Sequence, residues 1–230
     1  PFTVRVKETD LWVAVDEKSF SPDLPQRVEE LVWWQHQLLE DYMKKDPLFR
    51  ETFSPYLLAA GAPPLALEMV RAGNRAGVGP MAAVAGAFAQ LVGKFLLQSC
   101  QQVLVENGGD IFLKMKRPTR LGIYAGKSPF TGKLALEVPA RRSPWGICTS
   151  SGTVGPSYSE GRADAAVILS ASAPLADAVA TAAANRVKGP EDLNPALDFA
   201  RGIRGVEGVL LIYRDKLAAW GQVKLLPARS

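Results

Sequence analysis

The hydrophobic rhythm of the chain changes twice. Over residues 2–16 apolar and polar positions alternate, with Val4, Val6, Leu11 and Val13 set between charged or polar neighbours. That is the period of half-buried strands, and it predicts two short strands with a turn near residues 9 and 10. From Ser21-Pro22-Asp23 onward the spacing lengthens. Those three residues carry helix-capping chemistry, and Val28, Leu31, Val32, Leu38, Leu39 and Tyr42 draw one apolar stripe to about residue 45. Asp46-Pro47 breaks the helix, and a loop with a short helical turn is expected to about residue 55. A second breaker spans residues 61–64, and a helix is predicted over 65–72. Gly73, Gly77 and Gly79 read as a glycine-rich loop, and Pro80 stands where a first helical residue would. A helix rich in alanine and glycine follows over 81–98, its small residues suited to close packing.

After residue 100 the period falls to two. Strands are predicted over 102–106, 111–115, 120–124, 134–138, 147–150 and 163–170. A helix over 173–187 and a weaker one over 195–203 lead to a closing hairpin, 206–214 with 217–226, turning at Arg214-Asp215. Helices gather in the first half and strands in the second. That order predicts an α+β fold, helices packed on mostly antiparallel sheet, rather than an alternating parallel one. No internal repeat or low-complexity linker divides residues 1–230, so one domain is expected.

Composition narrows the function classes. The chain has 230 residues, 47% hydrophobic and 22% charged, enough for a sizeable core. A net charge of +4 is too mild to predict nucleic-acid binding and equally suits a phosphorylated small ligand. Cys100 and Cys148 have no CxxC or Cys/His spacing around them, which argues against structural zinc. They read as separate thiols of a reduced compartment, hence a cytoplasmic protein. The most apolar stretch, 81–97, is interrupted by Gln90 and Lys94 and falls short of the ~20 apolar residues of a membrane span. The start at Pro1 leads us to expect that some native N-terminus precedes it, with a removed signal peptide left open. The oligomeric state is left open too, Trp33 and Trp34 suiting either a core or an interface.

Four places carry candidate chemistry. His36 is the only histidine and has no nucleophile near it in sequence, so base chemistry would fall to carboxylates, Lys, Tyr or a metal-bound water. The loop over 72–86 feeds a helix N-terminus near Gly79 and Met81, a place that suits phosphate, although no GK[ST] follows the glycines. Close packing of a buried helix explains the same residues. Residues 148–165 concentrate hydroxyls, among them Ser150, Ser151 and Thr153 beside Gly152, groups that a phosphate or sugar uses and a surface loop also tolerates. Asp177 and Thr181 stand four apart on one helix face, a pair of hard-oxygen ligands for magnesium or calcium, or simply an acidic first turn. The turn in "VENGGDIFL" is read either as a plain hairpin or as a place where backbone approaches a phosphate.

The segments "GVGPMAAVAGAFAQ", "VENGGDI", "TSSGTVGPSYSEGRADA" and "LADAVATAAANRV" occur in one order across about residues 73–187. In this the chain resembles a family of unassigned activity within the ApbE-like superfamily, whose parent group is the FAD:protein FMN transferases. The resemblance implies an α+β fold and a cleft for FAD or FMN. It implies Mg²⁺ held by Asp177, Thr181 and a backbone carbonyl near Ala82. It places Gly86 in the buried helix, Asn107, Gly108, Gly109 and Asp110 at the turn, and Ser150 to Thr153 around the nucleotide. A protein acceptor for FMN is implied as partner. The chain departs from the transferases in having Ala85 where they carry lysine and Gln90 where they carry an acid. The stretch "SEGRADA" replaces their His-x-x-Asp-Pro-x-Thr-Gly segment. Arg162 and Asp164 are the residues of that stretch expected to supply a positive charge and a carboxylate to catalysis alongside Asp177. A nucleotide-binding protein that has lost the chemistry is the alternative.

Overall fold

A computed structural model describes residues 1–152 and 161–228. Its elements in chain order begin with β1 (Phe2–Val6) and β2 (Thr9–Val15), then α1 (Leu24–Lys45), α2 (Pro47–Glu51), α3 (Pro64–Ala76) and α4 (Val84–Leu96). Six strands follow, β3 (Val103–Asn107), β4 (Asp110–Lys114), β5 (Thr119–Gly122), β6 (Leu134–Val138), β7 (Trp145–Ser150) and β8 (Ala165–Ser170). The chain ends with α5 (Ala173–Arg186), α6 (Leu193–Arg201), β9 (Val206–Tyr213), β10 (Lys216–Gly221) and β11 (Leu225–Pro227). Eight strands form one sheet in the order β1-β2-β3-β4-β7-β8-β9-β10, and β11-β6-β5 form a second. Every pairing is antiparallel. The α+β reading of the sequence therefore holds.

Three layers result, and strand alternation sorts side chains between them. Val103 and Val105 of β3 and Phe112 of β4 join the core shared with the helices. Their neighbours Leu104 and Leu113 join a second core, where Leu136 and Val138 of the small sheet meet Ile147, Val167 and Leu169. β8 is covered on both faces, which explains its unbroken apolar sequence. No single helix among the described residues is long and apolar enough to cross a membrane.

Four sequence-based boundaries move, each for a physical reason. The first hairpin turns at Lys7-Glu8, two residues early, with Lys7 at φ 54° so that Val6 pairs with Thr9. Gly73 lies inside α3, which runs to Ala76 and ends on a left-handed Gly77. Gly73 is there for space, since a Cβ would sit 2.8 Å from the Val78 carbonyl oxygen. The helix expected over 81–98 is a single tight turn, Pro80–Ala83, followed by α4. That break places the first free amides of α4 at Ala85 and Gly86 rather than near Met81. The last strand, expected over 217–226, divides at Gly221 (φ 76°), and its second part crosses to the small sheet.

α4 lies close to the sheet because Gly93 faces Phe112. A Cβ on Gly93 would fall 2.0 Å from the Phe112 ring, and that ring is fully buried. Gly93→Ala is therefore expected to destabilise the protein by about 1–3 kcal/mol through overpacking, despite the better helix propensity of alanine. Urea denaturation checks this, with Gly122→Ala as the control, because nothing lies within 4 Å of a Cβ there.

Candidate functional site

The β3–β4 hairpin is closed by two residues, Gly108 (φ 62°) and Gly109 (φ 103°), between the paired Asn107 and Asp110. Positive φ at both central positions matches the twist of the flanking strands, and glycine adopts it without strain. The turn is thus a true hairpin, and it is also a wall. Gly108, Gly109 and Asp110 line a cavity of about 600 Å³ between the two sheets, together with Thr149, Ser150 and Ser151 at the end of β7. Asp177 and Thr181 of α5 line the same space. Its floor is apolar, with Ile111, Ile147 and Val167 from the large sheet and Leu121, Ile123 and Leu136 from the small-sheet side. Trp12, Leu104, Glu106, Arg120, Gly122 and Tyr124 complete the lining, and the rings of Trp12 and Tyr124 are exposed.

The inner end of this cleft is built around two buried carboxylates. Asp177 Oδ2 accepts a hydrogen bond from the Gly86 amide at 2.8 Å, and the Ala85 amide also bonds this carboxylate. Asp177 thus satisfies donors at the start of α4 from a different helix, the favourable end of the helix dipole for a negative charge. Asp110 pairs across β4–β7 with Cys148 and accepts from that thiol and from the Thr149 amide. Its Oδ1 is buried with no hydrogen-bond partner among the described residues. Burial pushes Asp110 up to about 7, with Glu106 adding to the rise and the Cys148 and Thr149 hydrogen bonds opposing it. Burial, then the charge of Asp110, drives Asp177 well above the carboxylate range, against the pull of the Gly86 and Ala85 amides. The Cys148 thiol is driven up by burial and by both aspartates.

Two hard carboxylates, one of them with an unpartnered oxygen, and the Thr181 hydroxyl suit a divalent cation. The orphaned Asp110 Oδ1 is the specific fit, because a buried acceptor without a donor is costly until something neutralises it. Among the described residues no three His, Cys, Asp or Glu side chains converge as a complete metal cage. The remaining oxygens would come from Thr181, from backbone or from a ligand. Ala82 stands in the turn Pro80–Ala83, which packs on α5.

Met81 and Asn107 line a second cavity on the far side of the hairpin. The Gly79 amide donates to the Phe53 carbonyl at 2.9 Å, so it serves the fold. Gly86 packs on Ala173, whose oxygen would lie 2.5 Å from a Cβ. The Gly152 amide donates to the Ala163 carbonyl at 2.9 Å. Arg162 is exposed, and Asp164 is buried and accepts from the Arg214 amide at 2.5 Å. Neither Arg162 nor Asp164 lines either cavity. Thr153 lies outside the described residues. Trp12, Arg120, Tyr124, Glu106 and Cys148 were not anticipated as site residues. Trp12 offered a readable signal, an aromatic on the outward phase of a strand whose Leu11 and Val13 point inward. Cys148 offered none.

A family model described as AbpE bacteria matches residues 1–218. A UPF0280 protein of Methanocella arvoryzae is 41% identical over 220 residues, covering 95% of this chain and 87% of the relative. A UPF0280 protein of Methanocaldococcus jannaschii is 36% identical over 225 residues, covering 96% and 90%. Among solved structures, apo flavinyl transferase ApbE of Pseudomonas stutzeri superposes with a TM-score of 0.62 at 16% identity, covering 96% of this chain and 93% of that one. The flavin transferase ApbE of Vibrio cholerae gives 0.59 at 14% identity, covering 96% of each chain. At such identities the likeness is one of fold.

The carboxylate pair predicts a pH dependence. With both groups raised in the folded state, the fold holds protons that the unfolded chain releases near pH ~4. In chelator, the contribution of this pair to stability should be fully present below that pH and be lost as pH rises through about 7, where Asp110 ionises. Asp110→Asn should flatten the decline and raise stability at pH 8 by roughly 1–3 kcal/mol. Urea melts at pH 5 and pH 8 measure both.

Proposed function

The chain belongs to the family described as AbpE bacteria, and from that premise we propose that its cleft binds a flavin nucleotide, FAD or FMN, together with Mg²⁺. The observation that carries this reading is the unpartnered Asp110 Oδ1 beside Asp177 at the inner end of a cleft large enough for a ring and its sugar. Arg120 is the only Lys, Arg or His among the described residues lining that cleft, against Glu106, Asp110 and Asp177. Without a cation such a lining repels phosphate, and with one it attracts it. Asp110, Asp177 and Thr181 would hold the metal. Bound there, the metal supplies positive charge to the pyrophosphate oxygens. Thr149, Ser150 and Ser151 present hydroxyls at the same end, and the apolar floor with Trp12 and Tyr124 suits the flat ring.

Whether the nucleotide is then cleaved divides two readings. Transfer of FMN from FAD to a protein acceptor is supported by the four-residue spacing of Asp177 and Thr181 and by the fold shared with proteins titled flavin transferases. Retention without turnover is supported by Ala85 and Gln90. Ala85 brings no cation, and the Gln90 carboxamide is committed to the Glu68 carboxylate and the Ala173 amide.

Calorimetric titration with FAD, with and without Mg²⁺, tests the proposal. Mg²⁺ is expected to tighten FAD binding about tenfold or more, and Asp177→Asn to remove that gain. Failure of both FAD and FMN to bind under either condition sinks the flavin reading. Chromatography of the same mixtures for FMN and AMP separates transferase from carrier.

A further inference from the structure

The mild net charge of +4 conceals a division of charge along the chain. Between Asp110 and Glu160 stand eight lysines and arginines and a single acid, Glu137. Residues 1–51, which supply α1, α2 and one edge of the large sheet, lean the other way, with eleven acids against seven lysines and arginines. The basic stretch builds the small-sheet layer, on the opposite side of the large sheet from the helices. Its connections carry Lys116 and Arg117 between β4 and β5, Lys127 and Lys133 between β5 and β6, and Arg142 between β6 and β7. All five are exposed, and none has a carboxylate partner among the described residues. Arg120 of β5 and Lys224 before β11 share one carboxylate, Glu137, at 3.6 and 2.6 Å. One negative charge does not neutralise two positive ones, so the layer keeps a cationic excess.

The distribution of these cations argues about the partner. β5 and β6 pair antiparallel, so Lys116, Arg117 and Arg142 lie at one end of the small sheet and Lys127 and Lys133 at the other, with Arg120 and Lys224 between them at Glu137. Positive charge therefore spans the whole layer. A nucleic-acid strand is held in a basic groove that tracks its backbone, with bases stacked on rings along it. Here only Arg120 borders the cleft, and none of the other cations lines either cavity. Ungrooved, solvated lysines and arginines suit a broad surface of phosphate headgroups instead. The exposed Tyr124 ring in the same layer is of the amphipathic kind that a lipid–water interface favours. The acidic residues 1–51 add orientation, since an anionic surface attracts one side of the molecule and repels the other. We propose that the small-sheet side is a docking face for an anionic membrane surface, on which the protein lies by charge and into which it inserts no span. Docking of this kind needs neither nucleotide nor metal, so it stands apart from the flavin reading.

Co-sedimentation with vesicles tests it, using phosphatidylcholine alone and an equal mixture with phosphatidylglycerol, in chelator and without nucleotide. The protein is expected to bind the mixed vesicles at least about tenfold more tightly than phosphatidylcholine, and to lose that preference as salt rises well above about 0.15 M. Reversing two exposed cations from opposite ends of the layer, Arg117→Glu with Lys133→Glu, should weaken the binding about tenfold or more. Lys45→Glu with Arg71→Glu makes the same change in net charge on α1 and α3 and should alter it by less than about twofold. Should the first pair shift the urea midpoint, Arg117→Gln with Lys133→Gln decides, with an expected loss of about fivefold. Equal binding to both kinds of vesicle overturns the proposal. So does an equal loss in the two charge-reversed pairs, because net charge rather than this face then governs binding. Tighter binding at the same salt to a duplex RNA or to polyglutamate overturns it as well, the face then serving another class of partner.

Discussion

Everything around the cleft depends on one buried contact, the Asp177 carboxylate on the amides that open α4. α5 is the hub of the helical layer, packed on β7 and β8 and on α3, α4 and α6. Its first turn is gripped on two sides by residues without side chains. Gly146 of β7 would place a Cβ 2.4 Å from Ala173 Cα, and Gly86 of α4 would place one 2.5 Å from Ala173 O. Only with both glycines can sheet, α5 and α4 approach closely enough for Asp177 to reach the Gly86 amide. A carboxylate there is expensive to desolvate, and two amides recover part of that cost. The remainder appears in the raised titration of Asp177 and Asp110 and in the unanswered oxygen of Asp110. Close packing of α4, α5 and the sheet and the raised titration of the two carboxylates are therefore set by the same few atoms.

Much of the fold was legible in the sequence because its cores are sorted by simple periods. The stripe of α1 and the alternation of β2, β3 and β4 gave elements close to those observed, and Asp46-Pro47 ended α1 where proline must. The glycines were harder to read. Gly73, Gly86, Gly93 and Gly146 are demanded by neighbours distant in sequence, and one-dimensional patterning cannot separate a glycine that bends the chain from one that admits another helix. For the same reason the loop over 72–86 suggested a phosphate cradle, whereas the amides of Gly79 and Gly86 are taken by Phe53 and Asp177. Asp177, Thr181 and the Gly108–Gly109 turn stood out by spacing. The neighbourhood of Asp110, Cys148 and Asp177 arises only when β4, β7 and α5 are assembled.

The hairpin at residues 107–110 gives the molecule an internal partition. Asn107 lines one cavity and Asp110 the other, three residues apart on a turn whose conformation is fixed by two positive-φ glycines. The Asn107 bond to Ala85 and the Asp177 bond to Gly86 anchor this partition to consecutive residues of α4. A shift of the first turn of α4 would be felt on both sides at once.

The small sheet bears on how the cleft comes into being. Its middle strand, β6, pairs with β5 nearby in sequence and with β11 at the end of the described chain, Leu136 opposite Leu225. Leu121, Gly122 and Leu136 of that sheet form one wall of the cleft. During synthesis the wall therefore lacks its third strand until residue 227 has left the ribosome, when nearly all of the large sheet is already available to pair. Closing so long a stretch of chain is slow compared with forming neighbouring hairpins. A nascent chain would carry an unfinished, open-sided pocket, and closing the cleft becomes a late event in folding.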